Sequence, residues 1–213
     1  MKPLLALLIV LLAAAPLRAS GPYDLIFKTG TLSDLSGADT LIYDRRVEIG
    51  DNPDYAARNT GQVELDFQPD EMARLRFFKD GKHRKVGLFP ATVGNPIVMY
   101  FVETVLRDVA QEAGGSPFYI RNRIKDALIQ EAPVEEVTVN VDGAEIAAQR
   151  VTLRPFEHDK NRPRMGPYGD LSLTFTMSEA LPGWYGSLVA EAPAKDGRAG
   201  YRNALTLVAG EDG

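Results

Sequence analysis

Two histidines and no cysteine stand among the 213 residues, so nucleophilic, redox and metal chemistry has few side chains to draw on. His83 sits in the basic run Lys82-His83-Arg84-Lys85, which repels a cation, and His158 is followed by Asp159. Neither falls in an H-x-x-x-H or H-E-x-x-H spacing, so no metal site is expected. A Ser/His/Asp device needs its serine on a strained turn, but the chain has no G-x-S-x-G, and Ser116 between Gly115 and Pro117 reads as a helix cap. No catalytic residue and no cofactor is assigned. What remains is binding chemistry. Arg121 and Lys125, four residues apart on one helix face beside the exposed amides of a Gly114–Phe118 turn, suit an anion, although charged flanks of a surface helix look the same. The loop 156–169 holds His158, Asp159, Lys160, Arg162 and Arg164. It reads as a long solvated connection, with a grip on an anionic head group as its functional alternative.

These residues need a frame. Short runs of β-branched, aromatic and leucine residues punctuated by turn chemistry predict strands at 23–27, 40–47, 62–67 and 73–79. Asp80-Gly81 then turns into a strand that ends near Leu88, because this pair tolerates positive φ at both central positions. Val137, Val139 and Val141 alternate with polar residues up to a second pair, Asp142-Gly143, and a strand over 144–153 returns. Leu171, Leu173, Phe175 and Met177 alternate likewise, and further strands are expected at 184–191 and 201–208. The expected total is roughly nine or ten.

Between the two strand-rich halves lies a helical segment, 95–130. Asn95-Pro96 and Ser116-Pro117 each offer a cap followed by a proline suited to the first turn, and Gly114-Gly115 separates the two helices. Val98, Val102, Val105, Leu106, Val109 and Ala113 share one side of the first helix; Ile120, Ile124, Ala127 and Leu128 share one side of the second. Ile97, Tyr100 and Phe101, and likewise Phe118 and Tyr119, spill beyond those stripes. Both helix starts are therefore apolar nearly all round. Deep burial explains this, and so does an apolar cavity that these side chains line. Strands, two helices and strands again predict an α+β domain: a curved antiparallel, half-barrel-like sheet with a helical hairpin over one face or mouth.

Lys2 followed by the apolar run Leu4–Ala15, too short to span a bilayer, predicts an export signal cleaved near Ala19. The remainder, 20–213, is expected to form a single domain in the periplasm or outside the cell. The formal net charge of −5 argues against nucleic acid as a partner.

The exported start, the Gly30-Thr31-Leu32 opening, the Gly94–Leu128 helical segment and Pro182-Gly183-Trp184-Tyr185 before a late strand together resemble the outer-membrane lipoprotein carrier (LolA-like) group and exported alphaproteobacterial proteins. That resemblance implies a curved sheet partly closed by helices over an apolar cavity, and it transfers no catalytic residue. The expected function is non-enzymatic: binding of a lipid or other apolar or amphipathic small molecule through Ile97, Tyr100, Phe101, Phe118, Tyr119, Arg121 and Lys125, with peripheral membrane contact, or service as an envelope-assembly accessory. Two alternatives stand beside it. One is a protein-interaction module docking through a sheet edge or Trp184-Tyr185, with no partner specified; the other is a hydrolase-like enzyme using His158, Asp159 and loop arginines on an anionic substrate.

Overall fold

A computed structural model describes residues 21–35, 39–141 and 143–208. The expected export signal and Asp142 of the second Asp-Gly pair lie outside the described residues. Nine strands form one curved, open antiparallel sheet: β1 (Thr40–Ile49), β2 (Gly61–Gln68), β3 (Met72–Lys79), β4 (Lys82–Pro90), β5 (Val134–Val141), β6 (Ala144–Leu153), β7 (Ser172–Met177), β8 (Tyr185–Ala192) and β9 (Tyr201–Val208). Their spatial order is β4-β3-β2-β1-β9-β8-β7-β6-β5. Two meanders, each built from sequence neighbours, are thus joined by the pairing of β1 with β9, which sets Tyr43 opposite Leu207 and Val47 opposite Asn203. Asp80 and Gly81 adopt φ of 49° and 71°, as the first hairpin requires.

Among the described residues four α-helices accompany the sheet: α1 (Pro22–Ile26), α2 (Pro53–Asn59), α3 (Ile97–Glu112) and α4 (Pro117–Ile129). Strands β4 and β5 are opposite edges, so α3 and α4, which connect them, must cross the sheet. Alternation decides which face they cover. Leu41, Tyr43, Val47 and Ile49 of β1 are buried while Thr40, Asp44, Arg46 and Glu48 between them are exposed. Ile97, Val98, Phe101, Val105, Leu106 and Val109 of α3 and Ile120, Ile124, Ala127 and Leu128 of α4 join the same core, where Phe101 meets Phe175 edge to face at 6.0 Å. Gly114 and Gly115, at φ of 69° and 134°, make the break between the helices.

Asn95 ties three parts together. Its side chain accepts from the Ile97 amide and donates to Tyr43 Oη (3.0 Å) and the Gly183 carbonyl (2.9 Å), so the helix start is fixed to β1 and to the turn before β8.

The structure corrects several expectations. Residues 23–27 form no strand; Pro22 opens the short helix α1, and the carbonyls of Leu25 and Ile26 accept from Trp184 Nε1 and Tyr185 Oη instead of from a strand neighbour. Helix α2 is an addition, begun by Asn52, whose side chain accepts from the Tyr55 amide. Ser116 makes no side-chain cap; its backbone carbonyl receives the Tyr119 and Ile120 amides. The loop 156–169 is not a free solvated span, because Phe156, Met165 and Tyr168 are buried in the core.

Candidate functional site

The helices cover the middle of the sheet and leave the β4 edge open, and there a groove of about 600 Å³ lies between α3 and the β3–β4 hairpin. Its apolar wall depends on an irregularity. The β3–β4 register shifts between Leu75, opposite Gly87, and Arg76, opposite Lys85, leaving Val86 as an extra residue. Beyond this bulge odd-numbered residues of β4 face inward, so Phe89 opposes the buried Ala73, while Leu88 faces solvent. Gly87 makes room for it: a Cβ there would meet the Phe89 ring at 2.6 Å. Met99 and Tyr100 of α3 supply further apolar surface.

The floor is polar. Arg45 occupies an inward position of β1 and is 2% exposed. Its guanidinium lies 5.5 Å from the Tyr100 ring centre and 5.9 Å from that of Phe77, and its Nη1 donates to Tyr100 Oη at 3.1 Å. Beside it Asp108 accepts from Tyr55 Oη of α2 (2.8 Å) and from Tyr201 Oη and Asn203 Nδ2 of β9 (2.9 Å each). Burial pushes the Asp108 carboxyl above the usual carboxylate range, against the pull of these donors and of Arg45. Burial and the Asp108 charge push Tyr55 up to about 12. Arg84, Lys85 and Arg107 add cations around the opening, where Arg107 pairs with Glu103.

Of the residues expected to bind, only Tyr100 lines this groove. Ile97 and Phe101 are completely buried in the core, so the apolar excess at the start of α3 is mainly burial. Phe118 is 71% exposed, with Arg121 over its ring. Tyr119 stacks on Phe156 and its hydroxyl accepts from Asn161 Nδ2. Arg121 pairs with Glu103 of α3, and Lys125 is exposed on α4; the two do not converge on a cavity.

His158 is exposed, whereas Asp159 receives the Asn161 amide and pairs with Arg123 of α4. Burial opposes its charge, but hydrogen bonds from Tyr119 and the Asn161 amide, with Arg123, hold Asp159 below the usual carboxylate range. It anchors a loop. Arg162 of that loop is likewise held by Asp170. Trp184 and Tyr185 are 5% and 1% exposed, so they present no docking surface.

Arg45, Tyr55, Phe89, Asp108, Tyr201 and Asn203 were not expected in a site. A signal exists for two of them: Arg45 interrupts the alternation Leu41, Tyr43, Val47, Ile49, and Asn203 lies between Tyr201 and Leu205; Asp108, which helical spacing puts opposite the apolar stripe of α3 with Glu103 and Arg107, is nevertheless buried. Charged or amide residues at inward positions are the trace of a buried polar network. Among the described residues no group of three or more histidine or acidic side chains is placed to hold a metal ion, and no helix is long and apolar enough to cross a membrane. Compared with known protein families the chain matches no family model, and no curated protein is significantly similar to it.

Proposed function

We propose that this chain is an exported, non-enzymatic binder of an amphipathic ligand, which lies in the groove between α3 and the β3–β4 hairpin. The observation that carries the reading is the pairing of an apolar wall, formed by Val86, Phe89 and Met99, with a polar floor in one groove of about 600 Å³. That volume is ordinary for a small-molecule site, and such a mixture favours a ligand with one apolar and one polar end. The resemblance to the lipoprotein-carrier group and the apolar run at residues 4–15 support a place of action in the periplasm. Phe118, Arg121, Lys125 and Ile129, all exposed on α4, suit transient contact with the membrane from which such a ligand is collected.

Nile red, an uncharged apolar fluorophore, tests the reading. The folded protein should enhance its emission. Met99→Asp, at a side chain 57% exposed, should remove the enhancement without lowering the melting temperature. Enhancement that persists in both Met99→Asp and Phe89→Ser, or none with the folded wild type, would remove the groove as the ligand site. Native mass spectrometry of protein purified from the cell envelope should show a copurified small apolar molecule.

A further inference from the structure

We infer that the ligand of the groove is a long-chain carboxylic acid and that Arg45 seats its carboxylate, an inference that rests on the groove being the ligand site. The Arg45 guanidinium is nearly sealed from water, yet no carboxylate of the described residues forms an ion pair with it. Asp108 lines the same groove, but its two oxygens are already taken by Tyr55, Tyr201 and Asn203. Glu103 pairs with Arg107 and Arg121 instead. Nη1 of Arg45 reaches Tyr100 Oη, while Nε is buried without a hydrogen-bond partner among the described residues. A buried cation without a contacting counter-charge is costly, and an anion that enters the groove removes the cost.

The charge around it is biased the same way. In a chain of formal net charge −5, the groove carries Arg45, Arg84, Lys85 and Arg107 against Glu103 and Asp108. Arg84 and Lys85 are exposed and draw an anion toward the opening, whereas Arg45 alone lies at the floor. Because Asp108 beside it is held by three donors, Arg45 offers the one cation at the floor, and a monoanion is the better match. A planar carboxylate fits the fork of a guanidinium, and the Tyr100 hydroxyl, which accepts from Arg45, keeps its own proton to donate to the second oxygen. A phosphate monoester brings nearly two charges and three oxygens, more than one guanidinium and one hydroxyl can satisfy. Because Val86, Phe89 and Met99 flank this seat, the acid that fits must carry an apolar chain.

Displacement of Nile red from the purified protein by palmitate, methyl palmitate and lysophosphatidic acid tests the assignment. A charge-assisted contact predicts that palmitate displaces the dye about tenfold to a hundredfold more tightly than its ester. Arg45→Met should bring acid and ester to equal affinity, and Tyr100→Phe, which keeps the ring, should narrow the gap. Should Arg45→Met fail to fold, the wild-type ratio and Tyr100→Phe still decide. Equal displacement by acid and ester in the wild type would overturn the seat while leaving the groove as a ligand site. Tighter binding of lysophosphatidic acid than of palmitate would overturn the carboxylate assignment, as would failure of every lipid to displace bound dye. Absence of dye binding would remove both the seat and the groove.

Discussion

Replacing Asp108 separates the work of its oxygens from the work of its charge. In Asp108→Ala, Tyr201 Oη and Asn203 Nδ2 lose an acceptor in a fully enclosed site, and Tyr55 Oη loses one in a half-buried site. An orphaned buried donor costs about 1–3 kcal/mol. Asn203 keeps a weaker contact to Thr104 Oγ1 at 3.3 Å, and Tyr55 can turn toward water, so a loss of about 2–4 kcal/mol is expected. At this chain length that lowers the melting temperature by roughly 4–16 °C. Asp108→Asn behaves differently. Its remaining oxygen, placed at the Oδ2 position, retains Tyr201 and Asn203, and one bond, to Tyr55, is lost, about 0.5–1.5 kcal/mol. The charge supplies the pH dependence. Burial raises the carboxyl in the folded state, so its contribution is fully present below the unfolded pKa of about 3.9 and is lost as pH rises through the folded value. Asparagine does not titrate, so its disadvantage relative to wild type should shrink as pH is raised from about 3 to 7. Urea denaturation of the three proteins across that range measures both effects. An asparagine disadvantage that widens instead of shrinking as pH is raised would show that the network requires an ionised carboxylate, and the reasoning would fail.

Phe101→Ala should cost about 3–5 kcal/mol because the ring is fully enclosed against Phe175, whereas Phe118→Ala should stay within about 0.5 kcal/mol in a melting experiment. Gly115→Val should destabilise by about 1–3 kcal/mol through its φ of 134°, while Ser116→Ala, which removes no cap hydrogen bond, should leave the melting temperature within a degree or two. Residues 1–25 fused to a reporter active only outside the cytoplasm should give activity, and a charge at Leu8 should abolish it.

Features written in neighbouring residues were legible, and those that depend on distant partners were not. The Asp80-Gly81 hairpin and the Gly114-Gly115 break follow from turn chemistry, and the stripe of Ile120, Ile124, Ala127 and Leu128 marks the buried side of α4 directly. Helix α2 was equally readable: Asn52-Pro53 repeats the pattern of Asn95-Pro96. By contrast, α1 reads as a strand because four of the five residues Tyr23–Phe27 are apolar or aromatic, and only the distant Trp184 and Tyr185 reveal where its carbonyls are satisfied. The groove was hidden for the same reason. A bulge at Val86 decides whether Leu88 or Phe89 faces inward, and that register exists only against β3. Arg45 and Asn203 were visible as polar residues at inward positions, but their convergence on Asp108 needs the β1–β9 seam, which joins the first strand to the last.

The polar network also explains why the groove has a defined shape. Apolar side chains seat α3 on the sheet, but an apolar stripe alone tolerates rotation of a helix about its axis, since one set of apolar neighbours is exchanged for another of similar kind. Thr104 and Asp108 remove that freedom. Both lie on the buried side of α3, where Asn203 reaches each of them and Tyr201 and Tyr55 reach Asp108. Turning the helix would bury Asp108 away from three donors and leave those donors unpaired, each at about 1–3 kcal/mol. Tyr100, Glu103 and Arg107 of the same helix are thereby kept toward β4, where Tyr100 meets Arg45. Asp108→Asn, which preserves most of the network, should therefore leave Nile red affinity nearly unchanged. Asp108→Ala should weaken dye binding even at temperatures where the protein remains folded. Equal dye affinity in wild type and Asp108→Ala would mean that the apolar stripe alone orients α3.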